Sequence, residues 1–235
     1  KIALISIPTP TFNNRGAASA LPYHIIKGAG KKATFEVWTY NSNHVSADEV
    51  EETERALGVR VHVMRQPRWM AWMFKLRLAV LRVLLRYPYL RYLRLGDKAL
   101  ASIIEYAPDM VWIYGEETAC FSRLFPDKPC VVTMPDCESL HYHRLLGKDF
   151  ATLSLPQVMR YAMAFWQYRG MERDMRRYKA TFHFVGRQDA AFFCEVCPEA
   201  KVVFLPHPLY AHRDKAIRFH KPMIRLLFAG RYDFY

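Results

Sequence analysis

The sequence predicts an α/β protein with a Rossmann-like, doubly wound, mostly parallel sheet that carries helices on both faces. Short apolar runs of strand length alternate along the chain with longer segments of helical periodicity. The opening run, residues 2–7, is continuously apolar, as expected of a strand buried on both faces of a parallel sheet. The apolar content of 51% and the charged content of 24% are those of a globular protein with a sizeable core.

The predicted elements follow one another in regular order. The first strand leads through a loop that contains Gly16 into a helix over residues 17–28, and this unit is the usual opening of a doubly wound fold. Further strands are predicted at residues 35–39, 59–63, 111–114, 131–133, 182–185 and 202–205. Further helices are predicted at residues 47–57, 150–179 and 189–195.

The charge balance and the cysteine count limit the partners and the compartment. The chain has 34 basic and 22 acidic residues, and its net charge of +12 favours an anionic partner such as nucleic acid, a phospholipid surface or a phosphorylated substrate. Five cysteines, an odd number in a chain of 235 residues, indicate free thiols in a reducing, cytoplasmic compartment. No apolar run approaches the roughly 20 residues that cross a bilayer.

One basic segment, Arg65 to Arg94, departs from this alternation of strands and helices. No Asp or Glu lies between residues 55 and 95, and the basic residues there alternate with Trp, Met and Leu. The spacing predicts two helices divided by Pro88, which could lie on an anionic bilayer surface. The alternative is a core-packing helix whose arginines form its solvated side. Nucleic acid also fits the charge, but no nucleic-acid-binding motif accompanies it, so we do not expect this partner.

The loops at the carboxyl ends of the strands carry the candidate functional residues, because ligands bind at that edge of an open parallel sheet. Arg15 and Gly16 come after the first strand, where backbone N–H groups at a helix start can approach an anion. A simple strand-to-helix turn explains these two residues equally well. The next candidates are Glu116, after the strand at 111–114, and Asp136 with Ser139, after the strand at 131–133. The last two also fit a helix-capping pair.

Other motifs are weaker. His207 lies in a rigid Pro-His-Pro turn after the strand at 202–205. His141 and His143 are two residues apart, but no third ligand is evident, so we expect surface histidines and no metal site. The chain has no Gly-x-Ser-x-Gly, His-Glu-x-x-His or Gly-Lys-Ser/Thr motif, and several common enzyme classes therefore lose support.

The last stretch, residues 223–235, predicts a second domain. Its apolar run at 224–229 ends in Gly230-Arg231, as a buried parallel strand does where it enters a loop. A strand needs neighbours to pair with, and none follow. The sequence therefore predicts a first domain over residues 1–222 and the first strand of a second domain over residues 223–235.

The order of elements from Trp166 onward resembles that of the retaining GT-B glycosyltransferases that use nucleotide-sugars. A charged helix at 166–179 contains Glu172. It is followed by a strand with a polar helix start at 181–189, by the segment 201–209 that ends in the Pro-His-Pro turn, and by the run that ends at Arg231. The opening strand and the residues from Thr133 to Ser139 also look like that family. The resemblance implies the N-terminal, acceptor-binding half of a GT-B fold in an enzyme with no obligatory metal or other cofactor.

The resemblance also implies roles for particular residues. Gly16 would approach the donor phosphates, Arg231 would neutralise the diphosphate, and Asp136 and Ser139 would line the acceptor side. The acceptor would be lipid-linked or a polysaccharide precursor at the cytoplasmic membrane face. This sequence departs from the family pattern in having a proline, Pro135, where many members have a histidine, and Pro-His-Pro where they have Pro-Asn-Gly.

Two other functions remain open at this stage. One is a non-catalytic Rossmann-like module that docks a protein or nucleic acid through its basic helices. The other is a different nucleotide-binding enzyme of similar architecture, such as an epimerase. The chain downstream and assays of donor binding would separate these possibilities from a glycosyltransferase.

Overall fold

The computed structural model describes residues 1–13, 16–69, 72, 82–148 and 153–206. The predicted second domain, residues 223–235, lies outside the described residues. So do three of the predicted site residues: Arg15, His207 and Arg231.

Seven parallel strands form one sheet within the described residues, in the order β3-β2-β1-β4-β5-β6-β7. The strands are β1 Ile2–Ser6, β2 Phe35–Thr39, β3 Arg60–Val63, β4 Met110–Tyr114, β5 Cys130–Met134, β6 Thr181–Phe184 and β7 Lys201–Phe204. Each strand lies within one residue of its predicted bounds. The α/β, doubly wound fold class is therefore confirmed, and the sheet is parallel throughout.

The described helices comprise four that the sequence predicted and two that it did not. Their bounds are α1 Ala17–Ala29, α2 Ala47–Leu57, α3 Asp97–Tyr106, α4 Glu138–Lys148, α5 Leu155–Asp174 and α6 Arg187–Val196. The unpredicted helices are α3 and α4. Helix α4 occupies much of the stretch after β5 that the sequence suggested was a loop.

Helix α2 shows how local sequence sets the ends of a helix. Ser46 Oγ accepts the backbone N–H of Glu49 at 3.2 Å, and Glu49 Oε2 accepts the backbone N–H of Ser46 at 3.1 Å. This reciprocal pair is a capping box, which satisfies two backbone donors at the helix start. Gly58, with φ of 64°, ends the helix in the left-handed conformation that glycine adopts most easily.

Helices cover both faces of the sheet, as the fold class requires. On one face the strands pack against α3, α5 and α6, and the buried contacts include Ile5, Ile113, Phe184, Ile103, Met171 and Phe193. On the other face the strands pack against α1 and α2, and the buried contacts include Leu4, Val37, Trp112, Leu21 and Ile26. This two-sided burial is why the strands read as continuous apolar runs.

The strand order reverses between β1 and β4, which are neighbours in the sheet although 100 or so residues separate them in sequence. Ser6, the last residue of β1, pairs with Tyr114, the last residue of β4. In open α/β sheets the ligand crevice lies outside the carboxyl ends of the strands at this point. None of the described helices is both long enough and apolar enough to cross a membrane.

Candidate functional site

The candidate site begins at the carboxyl end of β4, where Gly115 turns the chain. Gly115 has φ of 116° and ψ of 135°, a combination that residues with a Cβ rarely adopt. Its N–H donates to Thr133 O on β5 at 3.0 Å, so the turn stays close to the sheet. The next residue, Glu116, begins a 3₁₀ helix over Glu116–Leu124 and points into the protein, with 4% of its surface exposed.

Glu116 is a buried carboxyl group without a hydrogen-bond partner. Neither of its oxygens makes a hydrogen bond within the described residues. Burial raises the pKa of Glu116 well above its ordinary value, and the nearby charges of Glu172, Glu117 and Glu138 raise it further. The backbone N–H of Glu138 opposes this shift but does not reach hydrogen-bond geometry. These effects favour the protonated form of Glu116, whose two oxygens lie in the protein interior.

Glu172, on α5, is a second buried carboxyl group, and it is fully engaged. Its Oε1 accepts the backbone N–H of Ser139 at 3.0 Å and the Cys137 thiol at 3.4 Å, while its Oε2 accepts the Ser139 hydroxyl. These donors lie at the start of α4, where a carboxylate is favoured by the unpaired N–H groups and the helix dipole. Glu172 therefore fastens α4 to α5.

The predicted catalytic residues are placed differently by these contacts. Ser139 is completely buried, and its hydroxyl is used by Glu172. Asp136 lies two residues beyond the end of β5 and is exposed. Glu116 lies next to Glu172, close enough for the charge of Glu172 to raise its pKa. The fold thus brings Glu116 and Ser139 close to the Glu172 carboxyl group, and it leaves Asp136 exposed.

Two more glutamates complete an acidic cluster. Glu117 Oε1 accepts the hydroxyl of Tyr168 at 3.1 Å, and burial raises the pKa of Glu117. Burial, together with the charges of Glu117, Asp136, Glu172 and Asp189, raises the pKa of Glu138 to about 7. The acidic cluster, defined as Glu116, Glu117, Glu138 and Glu172, thus contains four carboxyl groups with raised pKa values, and that of Glu138 lies near neutral pH.

Tyr114 is a site residue that the sequence did not suggest. It ends β4, is 1% exposed, and its hydroxyl has no hydrogen-bond partner within the described residues. Burial raises the pKa of Tyr114, and the charge of Asp136 raises it further, so the hydroxyl stays protonated and lies near the exposed carboxylate. A tyrosine at the carboxyl end of an apolar strand was the available signal, because its polar tip reaches the ligand edge of the sheet.

On the other side of the switch point, the loop after β1 is tied to the loop after β2. The Thr9 hydroxyl donates to Asn41 Oδ1, and the Thr9 N–H donates to Asn43 Oδ1, both at 2.9 Å. Gly16 lies at the start of α1 with φ of 104°, and no side chain caps this helix. The backbone N–H groups predicted to approach an anion thus lack a side-chain cap, and their role in binding stays a prediction.

The histidines that were considered as metal ligands have aromatic neighbours. His143 packs beside Phe165 and Phe192, with ring centroids 5.9 and 6.1 Å apart, and His141 lies edge-on to Tyr142 at 5.2 Å. Among the residues that the structure describes, no group of three or more His, Cys, Asp or Glu side chains has an arrangement that could hold a metal ion.

The basic segment is described in part, since residues 70–71 and 73–81 lie outside the described residues. Arg65, Arg68, Arg86 and Arg94 are exposed. Residues 82–84 form a 3₁₀ turn, and residues 85–88 are not helical, so the helix predicted before Pro88 does not continue through Arg86. Arg82 instead lies over the ring of Tyr89, 4.3 Å from its centroid.

Comparisons with known proteins give little information about the family of this chain. No protein-family model matches the chain, and no curated protein matches it. One solved structure, the crystal structure of the α/β-galactoside α-2,3-sialyltransferase from the luminous marine bacterium Photobacterium phosphoreum, aligns over 87% of this chain and 52% of its own, with 9% identity and a TM-score of 0.41. The chain thus spans about half the length of that protein. A similarity of this size carries no argument about function.

Proposed function

We propose that this chain is the acceptor-side part of a glycosyltransferase, which moves a sugar from a nucleotide-sugar to a hydroxyl group of an acceptor. The observation that carries the proposal is Glu116, a buried and unpartnered carboxyl group at the carboxyl end of β4, beside the point where the strand order reverses. A polar group left unpaired in a protein interior costs stability, so its retention favours a role in binding or chemistry.

The chemistry of glycosyl transfer suits such a group. The acceptor hydroxyl loses a proton as it attacks the sugar, and a base whose pKa lies near the working pH accepts that proton most effectively. Burial and neighbouring charges raise the pKa of Glu116, which makes its carboxylate a stronger base. Glu116 would hold the acceptor hydroxyl and receive its proton, while the unpaired hydroxyl of Tyr114 would orient the acceptor.

The finer assignments follow the family resemblance. The acceptor would be lipid-linked or a polysaccharide precursor at the cytoplasmic face of a membrane, reached by Arg65–Arg94, and no metal or other cofactor would be required. Asp136 would line the acceptor side at the rim. Gly16, Arg15, His207 and Arg231 would contact the nucleotide-sugar, together with a second domain that begins near residue 223.

The test is transfer of a labelled sugar by the full-length gene product. The protein would be screened by thermal shift against nucleotide-sugars, and the best donor would be assayed with lipid-linked and oligosaccharide acceptors. Because Glu116→Gln removes the base but keeps the shape, we expect it to lower kcat about 100-fold or more without changing donor binding. Glu105→Gln, an exposed change on α3, is the matched control.

Two results would contradict the proposal. One is the absence of stabilisation by any nucleotide-sugar, which would favour a binding module. The other is sugar transfer that Glu116→Gln leaves at the wild-type rate. The second result would show that the protein transfers sugar but that Glu116 takes no part in the reaction.

A further inference from the structure

Exposed apolar side chains form a stripe along one side of α5. Leu155, Met159 and Trp166 follow one another at spacings of four and seven residues, which places them on the same side of the helix. They are 72%, 66% and 65% exposed, respectively. The opposite side of α5 is the one that packs into the protein, through Met171 and Glu172.

A turn that packs on α5 adds two more exposed apolar side chains. Gln167, next to Trp166, donates from Nε2 to the carbonyl oxygens of Arg82 and Leu85 at 2.8 and 2.7 Å, and it thereby holds the 82–85 turn against α5. Within the turn, Val83 and Leu84 are 61% and 80% exposed. We define these exposed residues together as the α5 apolar face: Val83, Leu84, Leu155, Met159 and Trp166.

The charges around the α5 apolar face are positive. Arg173 lies on the same side of α5 as Leu155, Arg160 adjoins Met159, and Arg86 follows the 82–85 turn, and all three arginines are exposed. None of them forms an ion pair with a carboxylate in the described part of the chain. Of the two acidic residues of α5, Glu172 is buried, and Asp174 accepts the hydroxyl of Tyr87, so the exposed charge on this side of the helix is mainly positive.

We propose that the α5 apolar face docks on the surface of an anionic phospholipid bilayer. Trp166 and the aliphatic side chains would enter the headgroup boundary, and the arginines would contact lipid phosphates. The stripe from Leu155 to Arg173 is about 27 Å long, since a helix rises 1.5 Å per residue. An apolar centre with an unpaired basic rim matches a lipid surface, which supplies an apolar layer and a continuous sheet of negative charge. The proposal extends the predicted membrane contact from residues 83–86 of the 65–94 segment to α5, and it does not rest on glycosyl transfer.

The first test is co-sedimentation of the 235-residue chain with vesicles of phosphatidylcholine alone or with added phosphatidylglycerol. We expect binding to the anionic vesicles, weakened by salt. Arg86→Glu with Arg173→Glu should lower the partition coefficient about tenfold or more, since each basic side chain near such a surface contributes roughly 1 kcal/mol. Lys31→Glu with Lys32→Glu makes the same change of charge at exposed residues beyond the end of α1 and is the control. If both double variants lost vesicle binding equally, net charge alone would explain the binding, and the assignment to the α5 apolar face would be overturned.

The second test measures the apolar contact in the wild-type fold. Bromine-labelled phosphatidylglycerol should quench tryptophan fluorescence of the chain, and Trp166→Phe should remove a large part of that quenching. Leu84→Glu should weaken binding to the vesicles, whereas Ile104→Glu, which alters an exposed apolar residue on α3, should not. Absence of quenching would overturn the proposal. So would a dimer in solution that Leu84→Glu dissociates without changing vesicle binding, because the face would then be an interface between two copies.

Discussion

Two buried glutamates lie side by side in this protein, and they differ in what their surroundings offer them. Glu172, on α5, accepts hydrogen bonds from Ser139 and Cys137 at the start of α4. Glu116, at the end of β4, accepts none within the described residues. Burial raises the pKa of both groups, but the donors around Glu172 partly oppose this shift, whereas the neighbouring glutamates increase it for Glu116.

The difference separates a structural carboxyl group from a functional candidate. A buried carboxyl group whose oxygens are all engaged stabilises the elements that carry its donors. A buried carboxyl group without partners is a cost that folding alone does not explain. The comparison therefore assigns Glu172 to the packing of α4 on α5, and it directs the search for a ligand to Glu116.

The largest expected effect is the removal of the Glu172 carboxyl group. Glu172→Ala leaves the N–H and hydroxyl of Ser139 and the Cys137 thiol buried without an acceptor, so we expect a loss of about 3–5 kcal/mol in the free energy of unfolding. Urea denaturation at pH 7 measures this loss. Glu195→Ala, at an exposed residue of α6, is the control and should cost much less. Equal losses in the two variants would mean that Glu172 does not hold α4 in place.

At Glu116 we expect the opposite effect, namely that removing the carboxyl group raises the free energy of unfolding. Because its pKa is raised in the folded protein, the native state binds the proton more tightly than the unfolded state does, and stability falls as pH rises above the ordinary pKa. Glu116→Gln copies the protonated form and does not titrate. We expect the variant to be more stable than the wild type by about 2 kcal/mol at pH 8, the usual cost of an unsatisfied buried group, and the difference to shrink at pH 5. Thermal unfolding at both pH values, with Glu105→Gln as control, measures it.

A wild type that is more stable than Glu116→Gln at pH 8 would contradict this expectation. It would mean that the Glu116 carboxylate has a partner in solution. A stabilised Glu116→Gln that has lost sugar transfer would be the combination expected of a site whose chemistry costs stability.

The sheet could be predicted from the sequence because its signals are local. Each strand is a short apolar run, and Ser46, Glu49 and Gly58 mark the ends of α2 without help from distant residues. Helix α4 was missed because its start is fixed from a distance: the acceptor for the N–H of Ser139 is Glu172, 33 residues along the chain. No local sequence pattern indicates such a contact.

The candidate site was predictable in part, for a related reason. Glu116 follows a predicted strand, so its position at the ligand edge could be inferred from the sequence. Its burial and its lack of partners depend on the turn at Gly115 and on the packing of α5, and these are tertiary properties. Ser139 was expected to line the acceptor side. Its hydroxyl donates to Glu172, and this long-range contact could not be inferred from the sequence.

The smallest expected effect belongs to Glu138, whose charge also raises the pKa of Glu116. Its pKa is raised from 4.5 to about 7, so the stability that its protonation contributes is lost as pH rises from about 4.5 through 7. Glu138→Gln should remove this dependence and raise stability by about 1 kcal/mol at pH 8, a figure reduced to allow for solvent screening of a partly exposed side chain. The thermal midpoint at intervals from pH 5 to pH 8 measures the effect. If the dependence of the thermal midpoint on pH were unchanged in Glu138→Gln, the proton would be held by Glu116 instead. The charges of Glu117 and Glu172 act on both carboxyl groups.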